Sequence, residues 1–529
     1  MMNYVSKNLN PINIISRAIS FVPRRNNPSD SLRSSTAIAS LLQSFIDSSS
    51  PSQGQAIHSH ILKSGIRSNT NVSIKLLILH LKCGSLFYAR QVLDQMPNPT
   101  LSAFNFMIAG YFKGGCTEEI LYLVRKLAFS NERPDSFTLS MVLKLSVALF
   151  LPDLAKQVHL FIIKLLCELD DVLLAALVDS YVKNGKLGYA RSVFDAMPQK
   201  NVVCSTTLIY GYMNQKSFGN AEEIFENIEE KDVVVFNAMI EGYSKTTKTA
   251  LRSLEVYKDM QSLGFQPNIS TFVSAIGACS LLSILEFGRQ LHSQLIKMSI
   301  YLHVKSGSAL IDMYAKCGRT EDARIVFNQM PEKNVFSWTS MIDGYGKNGN
   351  PHEALALFYK MKKYSNVKPN YATFLGALSA CGHAGLVLEG QDIFNSMERD
   401  YSLKPRMEHY ACVVYLLGRM GSLQEAYNFI KRIPEKPNSD VWAAMLASSR
   451  LHGDVKLADI AANEVFKLSR DGRPGAYLAL SNTLAAAGKW EDVCEVRELM
   501  RERGVSKDAG CSWVGRDKGL CDFHEAEKE

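Results

Sequence analysis

The sequence predicts an all-α protein built as an α-solenoid, a stack of helix-turn-helix units, and three observations carry that prediction. First, LHLKCGSLFYARQVLDQMP (79–97), DSYVKNGKLGYARSVFDAMP (179–198) and DMYAKCGRTEDARIVFNQMP (312–331) align without gaps. Second, two other families of strings rotate with these in a fixed order. One reads FNFMIAGY (104–111), FNAMIEGY (236–243) and WTSMIDGY (338–345); the other reads LAKQVHLFIIK (154–164) and FGRQLHSQLIK (287–297), with GQAIHSHILK (54–63) as a fainter copy. Third, each unit holds two short amphipathic patterns separated by a glycine or small polar turn, as in AMIEGYSK followed by SLEVYKDMQSLG, with apolar residues three and four apart. A helix pair of this length cannot bury its own apolar face, whereas stacked neighbours can.

Residues 1–34 come first and read differently from the rest. They carry Lys7, Arg17, Arg24, Arg25 and Arg33 against Asp30 alone, and Ile14, Ile15, Ala18, Ile19 and Val22 recur at helical spacing. A basic, amphipathic, acid-poor start is the pattern of an organelle transit peptide, and a secretory signal would need an uninterrupted apolar core. The arginines and the amphipathic pattern favour the mitochondrion, with the chloroplast as the alternative. This leader supplies +4 of the net charge of +7, so residues 35–529 are nearly balanced. With 47% hydrophobic and 21% charged residues the chain has the composition of a folded protein, and 529 residues exceed one compact core unless growth is by repetition.

Several classes of function are excluded by what the chain lacks. No CxxC pair occurs among its eleven cysteines; Cys83 and Cys317 recur in KCG triplets, and Cys279 and Cys381 recur in IGAC and LSAC. Recurrence at one place in a repeat marks a small residue packed between helices, not a metal site. No apolar run reaches the roughly 18 residues of a membrane span, and there is no phosphate loop, GxSxG or HExxH. No enzyme, cofactor, metal or small-molecule substrate is expected.

Taken with their order, the rotating strings resemble the P, L and S motifs of plant pentatricopeptide repeat (PPR) proteins, PLS subfamily. Counted on that pattern, the units are L 35–69, S 70–100, P 101–135, L 136–170, S 171–201, an S-like unit 202–232, P 233–268, L 269–303, S 304–334, P 335–370, L 371–406 and S 407–438. Residues 439–472 and 473–507 resemble the E1 and E2 motifs, GCSWV (510–514) matches what usually follows them, and 508–529 form a short tail. The tetratricopeptide repeat has a similar period, but it places Trp, Leu-Gly and Tyr where this chain has Asn, Thr or Ser. The resemblance implies a right-handed solenoid.

It also implies reading residues. In PPR proteins the fifth and last residues of a unit form a base-reading pair, which gives Asn105 with Asp135, Ser140 with Asp170, Thr206 with Asp232, Asn237 with Asn268, Ser308 with Asn334, and Thr339 with Asn370. By the family's code these select U, a weak G, G, a pyrimidine, A and A, a word U-(G)-n-G-Y-n-A-A in which n is unread. Short amides and hydroxyls suit base edges because they donate and accept in a compact space. Ile74, Val273 and Leu375, and Ala39, Ala175 and Ala411, hold fifth positions and make no base-edge hydrogen bond. At the second position Val203, Val234 and Phe336 resemble side chains that sandwich bases, and Ser102 departs from that pattern. Phe104, Phe236 and Trp338 at the fourth position are expected in the core. A terminal Asp or Asn is also a helix N-cap candidate whatever else it does.

The function implied is sequence-specific binding of single-stranded organellar RNA, as the site-recognition factor for C-to-U editing. A DYW-type deaminase and other editing proteins would act in trans, because the HxE and CxxC of a cytidine deaminase do not occur; His524 and Glu525 read as a solvated tail. An intron-splicing or transcript-stabilising RNA-binding factor is the alternative, and a tetratricopeptide-like protein-interaction scaffold is a second.

Overall fold

The computed structural model describes residues 38–506 except 48–55, 64–68, 166–169, 469–472 and the single positions 57, 60, 62, 131, 198, 302 and 365. The expected leader and the C-terminal tail, with GCSWV and His524, lie outside the described residues. Among the described residues every regular element is a helix and there is no strand. Residues 38–47 are helical, and from Thr70 to Glu502 helices follow one another in pairs. The chain divides into two compact units, Met1–Gly242 and Tyr243–Glu529.

In the first unit the pairs include Leu101–Lys113 with Thr117–Ala128, Ser136–Ala148 with Pro152–Leu165, Asp171–Lys183 with Leu187–Asp195, and Val202–Asn214 with Phe218–Glu226. The leading helix of each pair packs on its own partner and, within this series, on the leading helices next to it. That arrangement buries Phe104, Ile108, Leu177, Tyr181 and Ile209. In the second unit the same plan runs through Ile269–Leu282 with Leu285–Lys297, Val304–Lys316 with Thr320–Gln329, Val335–Lys347 with Pro351–Tyr364, Tyr371–Ala384 with Val387–Tyr401, and Met407–Arg419 with Leu423–Lys431. It ends in Ser439–Leu451 with Val455–Leu468 and Pro474–Ala486 with Trp490–Glu502. Contacts among helices close in sequence, each burying its neighbour's apolar stripe, define an α-solenoid.

The aromatic residues at the fourth position are core, as expected. Phe104 and Phe236 are fully buried and Trp338 nearly so; Phe236 meets Phe225 edge-on at 5.3 Å and Trp338 meets Phe327 at 4.9 Å, a geometry the ring quadrupoles favour. The cysteines behave as packing residues too. Burial pushes the Cys279 and Cys381 thiols up to about 12, and no cluster able to hold a metal occurs among the described residues.

Two local devices set how the helices meet. Where a leading helix ends in an exposed turn, a glycine takes the left-handed conformation, as at Gly115 (φ 73°) and Gly318 (φ 75°). At three other turns Phe150 (φ 54°), Lys216 (φ 59°) and Ser283 (φ 54°) adopt that backbone instead, at a cost of about 1 kcal/mol for a residue with a Cβ. The second device is a latch from a trailing helix to the next leading helix. His159 Nδ1 lies 3.0 Å from the Tyr181 hydroxyl, His292 Nδ1 lies 2.9 Å from that of Tyr314, and His58 Nδ1 lies 3.2 Å from His80 Nε2. Burial holds all four of these histidines below their ordinary pKa, which favours the neutral rings such hydrogen bonds use.

Candidate functional site

Each terminal residue expected to read a base lies just before a leading helix. Asp135, Asp170, Asp232, Asn268, Asn334 and Asn370 accept the backbone N–H of Thr138, Leu173, Val235, Thr271, Ser337 and Thr373. Those N–H groups have no partner inside the helix, so the caps satisfy donors that would otherwise be orphaned. Asp135, Asp170, Asp232 and Asn268 are nevertheless exposed, and Asn334 and Asn370 half-buried. One oxygen of each side chain is committed to the cap, and the other polar atom remains for a second partner.

Fifth-position residues sit one turn into the leading helices, and they fall into two sets. In the linked set the pair is joined. Asn105 Nδ2 donates to both Asp135 carboxylate oxygens at 3.1 and 3.2 Å. Thr138, the third residue of the following helix, completes the triangle with its hydroxyl 2.6 Å from Asn105 Oδ1 and 2.7 Å from Asp135 Oδ1, its one proton shared between the two acceptors. Asp135 is partly desolvated, which raises its pKa, but the hydrogen bonds from Thr138 and Asn105 outweigh that and hold it below the usual carboxylate range. Thr339 and Asn370 are joined the same way: the Thr339 hydroxyl lies 2.7 Å from that of Thr373, which donates to Asn370 Oδ1 at 3.0 Å. Ser308 is not held this way: its hydroxyl donates to the Val304 carbonyl at 2.7 Å and that of Ser337 to the Asn334 carbonyl at 2.9 Å, with Asn334 Oδ1 further off at 3.4 and 3.3 Å.

The other set has no such link. Ser140 is buried and its hydroxyl is without a partner among the described residues, while Asp170 caps Leu173. Thr206 turns back to donate to the Val202 carbonyl at 2.7 Å, and Asp232 caps Val235. Leucine and valine here stand where Thr138 and Thr373 stand in the linked set. Asn237, on the helix Val233–Tyr243, is buried, and Asn268 forms a capping box with Thr271; these two residues belong to different compact units and stand outside this comparison.

Several of these leading helices also carry an exposed apolar side chain near their start. Val203, Val234 and Phe336 precede Thr206, Asn237 and Thr339 by three positions, so each pair shares a helix face. Phe137 and Val172, unremarked in the sequence, hold the same second position, and all five are between 50% and 70% exposed. Exposed valine and phenylalanine on a helix otherwise packed into a stack are unexplained by folding.

One and two turns further along the same face lie Asp179 and Lys183, Asp312 and Lys316, and Asp343 and Lys347, ion-paired at 2.8, 2.9 and 2.7 Å. Asp312, Lys316, Ser340, Asp343 and Lys347 help line a cleft of about 260 Å³. A lysine row matched by carboxylates carries little net positive charge, so a nucleic acid would gain less here from phosphate neutralisation than on a basic patch.

The sequence reading missed the third-position hydroxyls as well as Phe137 and Val172. The signal was present: DSFT (135–138), NIST (268–271), NVFS (334–337) and NYAT (370–373) share a cap followed three residues later by a hydroxyl, a variant of the capping box.

Paired helices stacked in series, with capped polar pairs repeating along the leading helices, define a helical-repeat protein of the α-solenoid class. The chain belongs to the pentatricopeptide repeat family. PPR repeat models match residues 102–128, 173–202, 231–280, 308–335, 333–383 and 372–401, and the E motif matches 452–515, which fits the E-type branch of the PLS subfamily. The chain is 56% identical over 514 residues to the mitochondrial pentatricopeptide repeat-containing protein At1g28690 of Arabidopsis thaliana, covering 96% of this chain and 98% of that protein. It is 33% identical to the putative mitochondrial relative At3g13770 of the same plant, over 92% of this chain and 73% of that one. The mitochondrial designation of both relatives agrees with the address read from the leader, and the mitochondrion is the compartment of this chain. The crystal structure of maize PPR10 superposes with a TM-score of 0.58 at 15% identity, over 93% of this chain and 76% of that one, which establishes the shared fold.

Proposed function

We propose that this protein binds single-stranded mitochondrial RNA in a sequence-specific manner and serves as the recognition factor for C-to-U editing, with a DYW-type deaminase acting in trans. The observation that carries the reading is the in-phase repetition of a polar fifth residue, a capping Asp or Asn and an exposed apolar second residue along successive leading helices. Stacked bases need flat apolar neighbours, and their edges need donors and acceptors at a fixed rise; a row with both elements suits splayed single-stranded RNA better than a duplex. The units follow the boundaries counted from the sequence, with Asn105/Asp135, Ser140/Asp170, Thr206/Asp232, Asn237/Asn268, Ser308/Asn334 and Thr339/Asn370 as reading pairs, and Phe137 and Val172 extend the sandwiching set. The E motif supports an editing role, since it marks the editing-type branch that the sequence resembles.

Loss of the protein in the plant tests this directly. Sequencing of mitochondrial transcripts should show conversion abolished at one or a few cytidines downstream of a U-(G)-n-G-Y-n-A-A match, with other sites intact. Editing unchanged at every site would overturn the editing role, and mis-spliced or shortened transcripts in the same plants would assign the protein to splicing or transcript protection.

A further inference from the structure

Asn105/Asp135 and Thr339/Asn370 differ from Ser140/Asp170 and Thr206/Asp232 in one feature that neither the fifth nor the last residue contains, a buried hydroxyl on the third residue of the next leading helix that bonds to the pair. Thr138 is 1% exposed and Thr373 is fully buried, so neither can touch a nucleotide. We propose that Thr138 and Thr373 are positioning residues, which fix the donor and acceptor roles of the pairs Asn105/Asp135 and Thr339/Asn370 before RNA arrives. The inference rests on the base-reading proposal above.

The hydrogen bonds around Thr373 show how the roles are fixed. A hydroxyl has one proton. Thr373 gives its proton to Asn370 Oδ1 and also accepts the Asn370 backbone N–H at 3.2 Å, so at 2.7 Å it receives the proton of Thr339. Thr339 then offers lone pairs only, and Asn370, its oxygen occupied, offers Nδ2. An acceptor beside a donor complements the adenine edge, where the 6-amino group donates and N1 accepts; guanine presents the opposite order. In the Asn105 pair, Asp135 holds Nδ2 and Thr138 holds Oδ1, so the amide cannot reverse without losing all three bonds. A side chain already held in its bound rotamer avoids the ordering cost of binding, worth about two- to tenfold in affinity. Where Leu173 and Val235 take the third position this restraint is missing, which accounts physically for a weak reading by Ser140/Asp170.

The test uses the full chain and synthetic single-stranded RNA carrying U-(G)-n-G-Y-n-A-A, with a second RNA in which the final A is replaced by G. For Thr373→Val we expect binding to the matched RNA to weaken about three- to tenfold with little change for the G-containing RNA, so the A-over-G ratio falls by that factor, and Thr373→Ser should restore it. Val235→Thr, which places a hydroxyl beside Thr206 and Asp232, should raise discrimination at the nucleotide of that unit, and it keeps the proposal testable if Thr373→Val folds poorly. Equal weakening on both RNAs without rescue by serine, together with no gain from Val235→Thr, would reduce the hydroxyls to helix packing and overturn the proposal. Thr339→Ala without effect on either RNA would instead defeat base reading itself.

Discussion

Asn105/Asp135 and Ser140/Asp170 occupy the same two positions of neighbouring units, yet one pair is a closed triangle of hydrogen bonds and the other is two unconnected side chains. The contrast extends to the turns. The units of Asn105 and Thr339 use glycine to leave the leading helix, at Gly115 and Gly349, whereas those of Ser140 and Thr206 strain Phe150 and Lys216 into the left-handed region. Position in the repeat therefore does not fix how firmly a pair is held; residues outside the pair do. A code that names only the fifth and last residues treats as equal two constructions that differ in stiffness.

Removing the caps should break the comparison most visibly. Asp170→Ala forfeits one N-cap, worth about 1 kcal/mol. Asp135→Ala forfeits a cap and also strands the Asn105 amide and the Thr138 hydroxyl, so the loss should approach about 2 to 3 kcal/mol. Thermal unfolding of the two variants side by side measures the gap; equal shifts in midpoint would mean that the triangle adds nothing to the folded state.

Acid titration sharpens the same contrast with a smaller effect. The Asp135 carboxyl is held below its ordinary range by the bonds from Thr138 and Asn105. A carboxyl depressed in the folded state contributes stability that is fully present above its unfolded pKa and is lost as pH falls through the folded one. Asp135→Asn, which keeps a capping oxygen but cannot titrate, should therefore lie furthest below the parent in melting temperature near neutral pH and converge with it below about pH 4. A constant offset across that range would show that the charge of Asp135 plays no part.

Much of the architecture was legible in the sequence because the repeat imposes it. Phe104, Phe236 and Trp338 could be placed in the core from their phase alone, and the Pro-Asp and Pro-Asn steps before Ser136, Ile269 and Tyr371 announced helix starts that the capped termini show. The links were not legible, because a Thr three residues after a cap reads as an ordinary capping residue until the fifth side chain of the preceding unit is seen to reach it across 33 or 34 positions of sequence. Nor did the sequence disclose that the hydroxyl of Thr206 turns inward to Val202, since the same Thr in the 335–370 unit turns to a neighbour. For these two threonines the adjacent helix offers Val235 in one case and Thr373 in the other.

The turns supply the finest test. Lys216 at φ 59° carries a Cβ where Gly115 and Gly349 carry none, and a left-handed L residue costs about 1 kcal/mol relative to glycine, offset in part by the greater freedom of glycine in the unfolded chain. Lys216→Gly should raise the melting temperature by a small margin, corresponding to about 0.5 kcal/mol, and Phe150→Gly should do the same. Neither substitution creates a link, so RNA selectivity at the units containing Thr206 and Ser140 should stay where it was. If relieving the turn alone sharpened selectivity, backbone strain and not the missing hydroxyl would be the reason the unlinked pairs are loose, and the distinction between the two sets would have to be redrawn around the turns.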